Sequence, residues 1–167
     1  VDALVKLGEQ TPQALRDLAQ DLENQAKEAK RLADEVRERL VIQDLANSLS
    51  YNNDQSVDLL RASLLVARLE NEHFDLDNYL KKADLLALKI EKFFPEEATG
   101  EERLKILVTQ LFEEMGFHGS TLDYHHRSNS FINEVMDDRE GLPITLSILL
   151  IELAQRLDLP VSGIGLP

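Results

Sequence analysis

The sequence predicts a mainly α-helical protein, on three observations. Leu22, Ala26, Ala29, Ala33, Val36 and Leu40 recur at 4-3-4-3-4 spacing, a heptad-like stripe. Thr99-Gly100-Glu101-Glu102 has the spacing of a helix capping box. Gly141-Leu142-Pro143 opens a segment in which eight of the eleven residues from Ile144 to Ala154 are apolar, the pattern of a helix buried on most sides.

Residues 12–49 read as one long helix. Thr11 is the candidate N-cap, and Pro12 stands where a first-turn proline is tolerated. Glu23–Lys27 and Glu35–Arg39 are i,i+4 pairs on the face away from the stripe. The three central alanines would let a partner helix approach closely. The stripe fits either an intramolecular helical hairpin or a coiled-coil contact with another chain, since about three heptads is near the minimum for a coiled coil. The polar run Ser50-Tyr51-Asn52-Asn53-Asp54-Gln55 is the best linker.

Shorter helices follow. Residues 57–71 are rich in Leu and Val. Residues 77–93 carry Leu80, Ala83, Ala87, Ile90 and Phe94 at helical spacing, and Pro95 ends the helix. The capping box opens a helix over 100–115 with Gly116 at its C′ position. Residues 116–130 read as a polar loop and 131–138 as a short helix. Pro143 then leads a helix to Leu157, and Val161 to Leu166 is the one expected strand, cut short at Pro167. No internal repeat or low-complexity tract is present.

Composition narrows the function. With 31 acidic and 18 basic residues the chain carries −13, which repels nucleic acid and anionic membranes. No basic block interleaved with aromatics offsets that charge. There is no cysteine, so disulfides, zinc–thiolate sites and a cysteine nucleophile are excluded within these residues. That composition fits a cytoplasmic or equivalent reducing compartment, and a targeting segment before Val1 is compatible with it. No apolar run reaches the roughly 18 residues of a membrane span.

The polar loop offers two constellations. Ser128 or Ser130 with His126 and Asp123 lie within one short loop that lacks a strand–turn–helix elbow, which favours a hydrogen-bonded turn over a catalytic triad. His118, His125 and His126 with Asp123 have no metal-ligand spacing, so neither metal nor cofactor is expected. Asn129, Ser130, Asn133 and Glu134 precede the apolar helix and are expected to satisfy backbone groups at its entrance.

Asp58-Leu59-Leu60-Arg61, the Phe117-His118-Gly119 turn, Asn129-Ser130-Phe131-Ile132-Asn133-Glu134-Val135 and Gly141-Leu142-Pro143-Ile144-Thr145-Leu146-Ser147 together resemble the SirB family of transglutaminase-like proteins. The resemblance covers roughly residues 56–167 and is most specific over 129–167. Residues 1–50 do not resemble the family's core and read as a helical extension; the resemblance implies a helical region of the SirB type over 51–128 and the start of a papain-like α+β core, truncated here, over 129–167. Its motif residues are Asn129, Ser130, Phe131, Asn133, Glu134, Gly141, Pro143 and Thr145, in structural or groove roles. In active members of the superfamily a cysteine opens the core helix, and a histidine and an acidic residue follow on the sheet. Here Pro143 falls near the cysteine position. The family's usual Gly-His-Phe continuation is not reached before Gly165-Leu166-Pro167.

The resemblance and the residues together lead to the expectation of a non-catalytic transglutaminase-like module acting through protein–protein contacts. Its partner would be another protein or a second copy, engaged through the N-terminal helix. Two alternatives stay open. One is an enzyme of this superfamily with catalytic residues after Pro167. The other is a coiled-coil scaffold or assembly factor.

Overall fold

The structure, a computed structural model, describes residue 8 and residues 11–49, 57–71, 74–120 and 126–163. The expected linker, as well as Asp123, His125 and the last four residues, lie outside the described residues. The chain divides into two compact units, Val1–Leu40 and Val41–Pro167.

Helix α1 runs from Thr11 to Leu49 and passes from the first unit into the second. In the first unit it is held by its own surface pairs. Arg31 bridges Glu28 at 2.7 Å and Glu35 at 3.3 Å, and the expected Glu35–Arg39 pair forms at 2.6 Å. The stripe residues Leu22, Ala26, Ala29, Ala33, Val36 and Leu40 are all exposed.

The second unit is built around α6, Pro143–Arg156, which packs on α2 (Leu59–Glu70), α3 (Leu76–Glu91), α4 (Gly100–Val108) and α5 (Ile132–Asp138). Helices α2, α3 and α4 each start where the sequence supplies a side-chain cap. The Asp58 carboxylate accepts the Arg61 N–H at 2.7 Å, and Asp75 accepts that of Asn78 at 3.2 Å. The Thr99–Glu102 capping box is complete in both directions. Leu64 and Leu65 from α2, Ala83, Ala87 and Ile90 from α3, Leu107, Val135, Leu149 and Leu153 meet in one core with Val41 of the last part of α1. Fully burying a Leu or Ile contributes about 1.5–3 kcal/mol; α2 buries Leu60, Leu64 and Leu65, and α6 buries Leu146, Leu149 and Leu153. The first residues of α6 differ from the expectation of a helix buried on most sides: Ile144 is 66% exposed, and Pro143 is exposed beside it.

Three features depart from the sequence reading. The helix beginning at Gly100 does not keep α pitch but winds as a π-helix over Thr109–Glu114, with the Met115 N–H bonded to the Gln110 carbonyl at 2.9 Å. Gly116, at φ +74, stops it as expected. The expected strand is not seen over residues 161–163, which run as irregular chain. The strands among the described residues lie elsewhere, as a parallel pair of two residues each: β1 (His118–Gly119), inside what reads as a polar loop, and β2 (Glu140–Gly141). Two-residue strands have no room for the period-2 alternation by which a strand is recognised.

Candidate functional site

The entrance of α6 gathers most of the motif residues. Arg139, the C-cap of α5, is left-handed at φ +63, and this turn aims the chain back toward β1. The His118 N–H then bonds the Arg139 carbonyl at 2.8 Å, and the Ser120 N–H bonds the Gly141 carbonyl at 3.2 Å. The Arg139 guanidinium reaches the Met115 carbonyl at 2.9 Å, closing the end of the π-helix onto the same turn.

Gly141 is buried, and its lack of a side chain is a steric requirement. A Cβ there would lie 2.8 and 2.9 Å from the two methyls of Val135 and 2.9 Å from Thr145 Oγ1. Thr145 is itself held in place, with Oγ1 3.0 Å from the Asn129 carbonyl and 2.9 Å from that of Leu142. One hydroxyl proton is shared between these two acceptors. The Asn129 carbonyl also accepts the Leu142 N–H at 3.1 Å. A buried carbonyl of the 3₁₀ turn Arg127–Ser130 therefore ties that turn to the first turn of α6.

The remaining motif residues are placed as follows. Phe131 is half-buried under the Arg127 guanidinium, 5.7 Å from the ring centre, and Arg127 is ion-paired with Glu70. Asn133 is 3% exposed, and its Nδ2 donates to Glu134 at 2.8 Å, while its Oδ1 has no partner among the described residues. Ser130 is exposed. Pro143 occupies N1 of α6 with its ring exposed, and it presents neither a thiol nor an N–H there.

His126 meets Ser128, Nδ1 to Oγ, at 2.6 Å, and the Ser128 N–H points at the same nitrogen at 3.4 Å. Both contacts close the 3₁₀ turn from its own N-cap, two residues apart, as a capping side chain does. His118 is exposed, its Nδ1 3.1 Å from the Gly119 carbonyl. No group of three metal-ligating side chains is found among the described residues, and no helix among them is long and apolar enough to cross a membrane.

Two polar arrangements escape sequence reading. Glu152, 2% exposed in the middle of α6, accepts the Leu59 N–H at 2.7 Å and Arg156 Nη1 at 2.7 Å. Arg156 reaches on to Asp84 of α3 at 2.9 Å. A carboxylate within an apolar run, four residues before an arginine, is the available signal; its second partner, 93 residues away, leaves no local trace. The second arrangement is a cavity of about 280 Å³ between α3 and α5, lined by Lys82, Leu86, Lys89, Met115, Phe117, Met136, Asp137 and Arg139. On its rim Asp137 receives the Tyr79 hydroxyl at 2.5 Å and the Lys82 ammonium. Burial, then Asp137, push the Tyr79 phenol well above its ordinary value, so it stays a donor.

The model of the transglutaminase-like superfamily matches residues 77–167. A UPF0162 protein of Xylella fastidiosa is 29% identical over 123 residues, 74% of this chain and 44% of that protein. A UPF0162 protein of Vibrio cholerae is 31% identical over 100 residues, 60% of this chain and 34% of its own length. Human F-box only protein 21 is 30% identical over 57 residues, 34% of this chain and 9% of that protein. The chain thus spans less than half the length of the curated relatives it matches. No solved structure matches it.

Proposed function

We propose, for a chain that belongs to the transglutaminase-like superfamily, that it is a non-catalytic module working through protein–protein contacts. The observation that carries this is the entrance of α6. Gly141, Thr145, Asn129 and Leu142 close the junction completely around a helix whose N1 residue is an exposed proline. A cysteine-type mechanism needs a thiolate at that place beside an imidazole, and these 167 residues contain no cysteine. The motif residues Asn129, Phe131, Gly141 and Thr145 then act as the frame of the junction, while Ser130 and Pro143 are its exposed rim.

The exposed stripe of α1 favours an interaction role in addition. Leu22, Val36 and Leu40 present large apolar side chains on a helix that also carries surface ion pairs. Such a stripe supports self-association or docking of a partner helix, with residues 1–50 as a helical extension separate from the SirB-type region 51–128 and the core start 129–167.

The test has two parts on the full-length protein. Amide hydrolysis and amine transfer are assayed first, and no turnover is expected. Turnover that disappears on changing a residue of the α6 entrance overturns the non-catalytic function. Light-scattering mass is then compared between the native chain and Leu22→Lys with Val36→Lys. A lower mass is expected, and an unchanged oligomer removes α1 from the interface.

A further inference from the structure

We infer that the outer face of α3 is a docking groove for an acidic amphipathic helix of a partner protein. The chain carries −13 overall, yet every lysine of α3 falls on one arc of that helix. At 100° per residue, Lys81, Lys82, Lys89 and the following Lys92 all lie within about 60° of Leu85. Leu85 is 65% exposed, Leu88 54% and the adjoining Phe93 55%, too much apolar surface on one short segment to be incidental. Leu85, Leu88, Lys89, Glu91 and Lys92 line an open depression of about 540 Å³. Lys89 is also a wall of the 280 Å³ cavity lined by Leu86, Met115, Phe117 and Met136, so the depression and the cavity adjoin along α3. Arg139 lines the cavity as well.

The charge on this groove selects the occupant. Lys82, Lys89, Lys92 and Arg139 line the two hollows against Glu91 and Asp137, with Lys82 ion-paired to Asp137. At physiological salt the Debye length is about 8 Å. A ligand seated here therefore feels these cations rather than the acidic remainder of the chain. The apolar floor and the exposed leucines take side chains at i, i+3 or i+4 and i+7 of a bound helix, with carboxylates on its flanks. A polyanion without apolar groups would leave Leu85, Leu88 and Phe93 wet. The groove names the contact surface and partner chemistry of the interaction module proposed above, and rests on it.

The test uses the full chain and two labelled synthetic helices of identical leucine pattern, one flanked by glutamates and one by lysines, read by fluorescence anisotropy. The glutamate helix is expected to bind, the lysine helix not. Lys89→Glu with Lys92→Glu is expected to weaken binding by about tenfold or more, and Leu85→Ser with Leu88→Ser by a similar factor. Lys27→Glu with Lys30→Glu, the same charge change on α1, should leave affinity unaltered. All six positions are exposed, and circular dichroism confirms the fold of each variant. Equal binding of both helices, equal binding of an oligonucleotide of matched charge, no binding of the glutamate helix, or indifference to the α3 changes overturns the groove. If the groove fails while α1-dependent self-association persists, the interaction module stands without it.

Discussion

Replacing Gly141 by alanine should destabilise the second unit by about 2–3 kcal/mol. The backbone of Gly141 is not left-handed, so the cost is contact and not torsion. The added Cβ would fall 2.8–2.9 Å from three atoms, where ordinary contact begins near 3.4 Å. Val135 cannot turn aside easily, because a β-branched residue in a helix has one strongly preferred rotamer and this one is fully buried. Thr145 could rotate only by giving up its bond to a buried carbonyl, which costs about 1 kcal/mol. Overpacking a well-filled site adds about 1–3 kcal/mol, so the two together give the stated range. Urea unfolding followed by circular dichroism measures it. Val135→Ala removes two of the three clashing atoms, so Gly141→Ala with Val135→Ala should be less damaging than the two changes summed, by at least about 1 kcal/mol. An alanine variant within about 0.5 kcal/mol of the native protein, or strict additivity with Val135→Ala, would refute the steric argument.

Two further outcomes are expected. Glu152→Ala leaves the Leu59 N–H without its acceptor and takes the carboxylate from Arg156, which keeps Asp84 and the backbone carbonyl of residue 152; a loss of about 2–4 kcal/mol is expected, below the full cost of a broken buried pair because Arg156 keeps these partners and some solvent contact. Urea midpoints check it, and a loss under about 1 kcal/mol counts against the network. Glu102 is held below its ordinary value of 4.5, first by the Thr99 N–H and then by the Thr99 hydroxyl. A depressed carboxylate contributes stability that is present above the unfolded value and is lost as pH falls through the lower folded one. Glutamine serves the same capping position without titrating. The gap in urea midpoint between the native chain and Glu102→Gln should therefore shrink between pH 6 and pH 3, and a constant gap would contradict the capping box as its cause.

What could be read from the sequence was local. The Thr99–Glu102 box, Gly116 and Pro143 each satisfy or terminate a helix within four residues, and each is where the pattern put it. The transglutaminase-like family was legible from the Asn129 and Gly141 segments, and the family comparison bears it out. What escaped was set by distant partners. The β1–β2 pair joins segments about twenty residues apart, and Glu152 finds Leu59 across most of the unit. The exposure of Ile144 escaped because an apolar run shows that a helix is covered without showing where the cover ends.

The π-wound turn of Thr109–Glu114 gives this stretch slack in its count of residues. A π turn is in effect an α-helix carrying a surplus residue. Deleting one residue there would let the helix relax to ordinary pitch and deliver Phe117 and β1 to nearly the same place. The same deletion within α3 would rotate every following side chain by about 100° and turn Ala87 and Ile90 out of the core. Proteins built on this frame can thus differ by a residue between the Thr99 cap and the β1 strand while keeping the register of β1 against β2, and the entrance of α6 that this register closes.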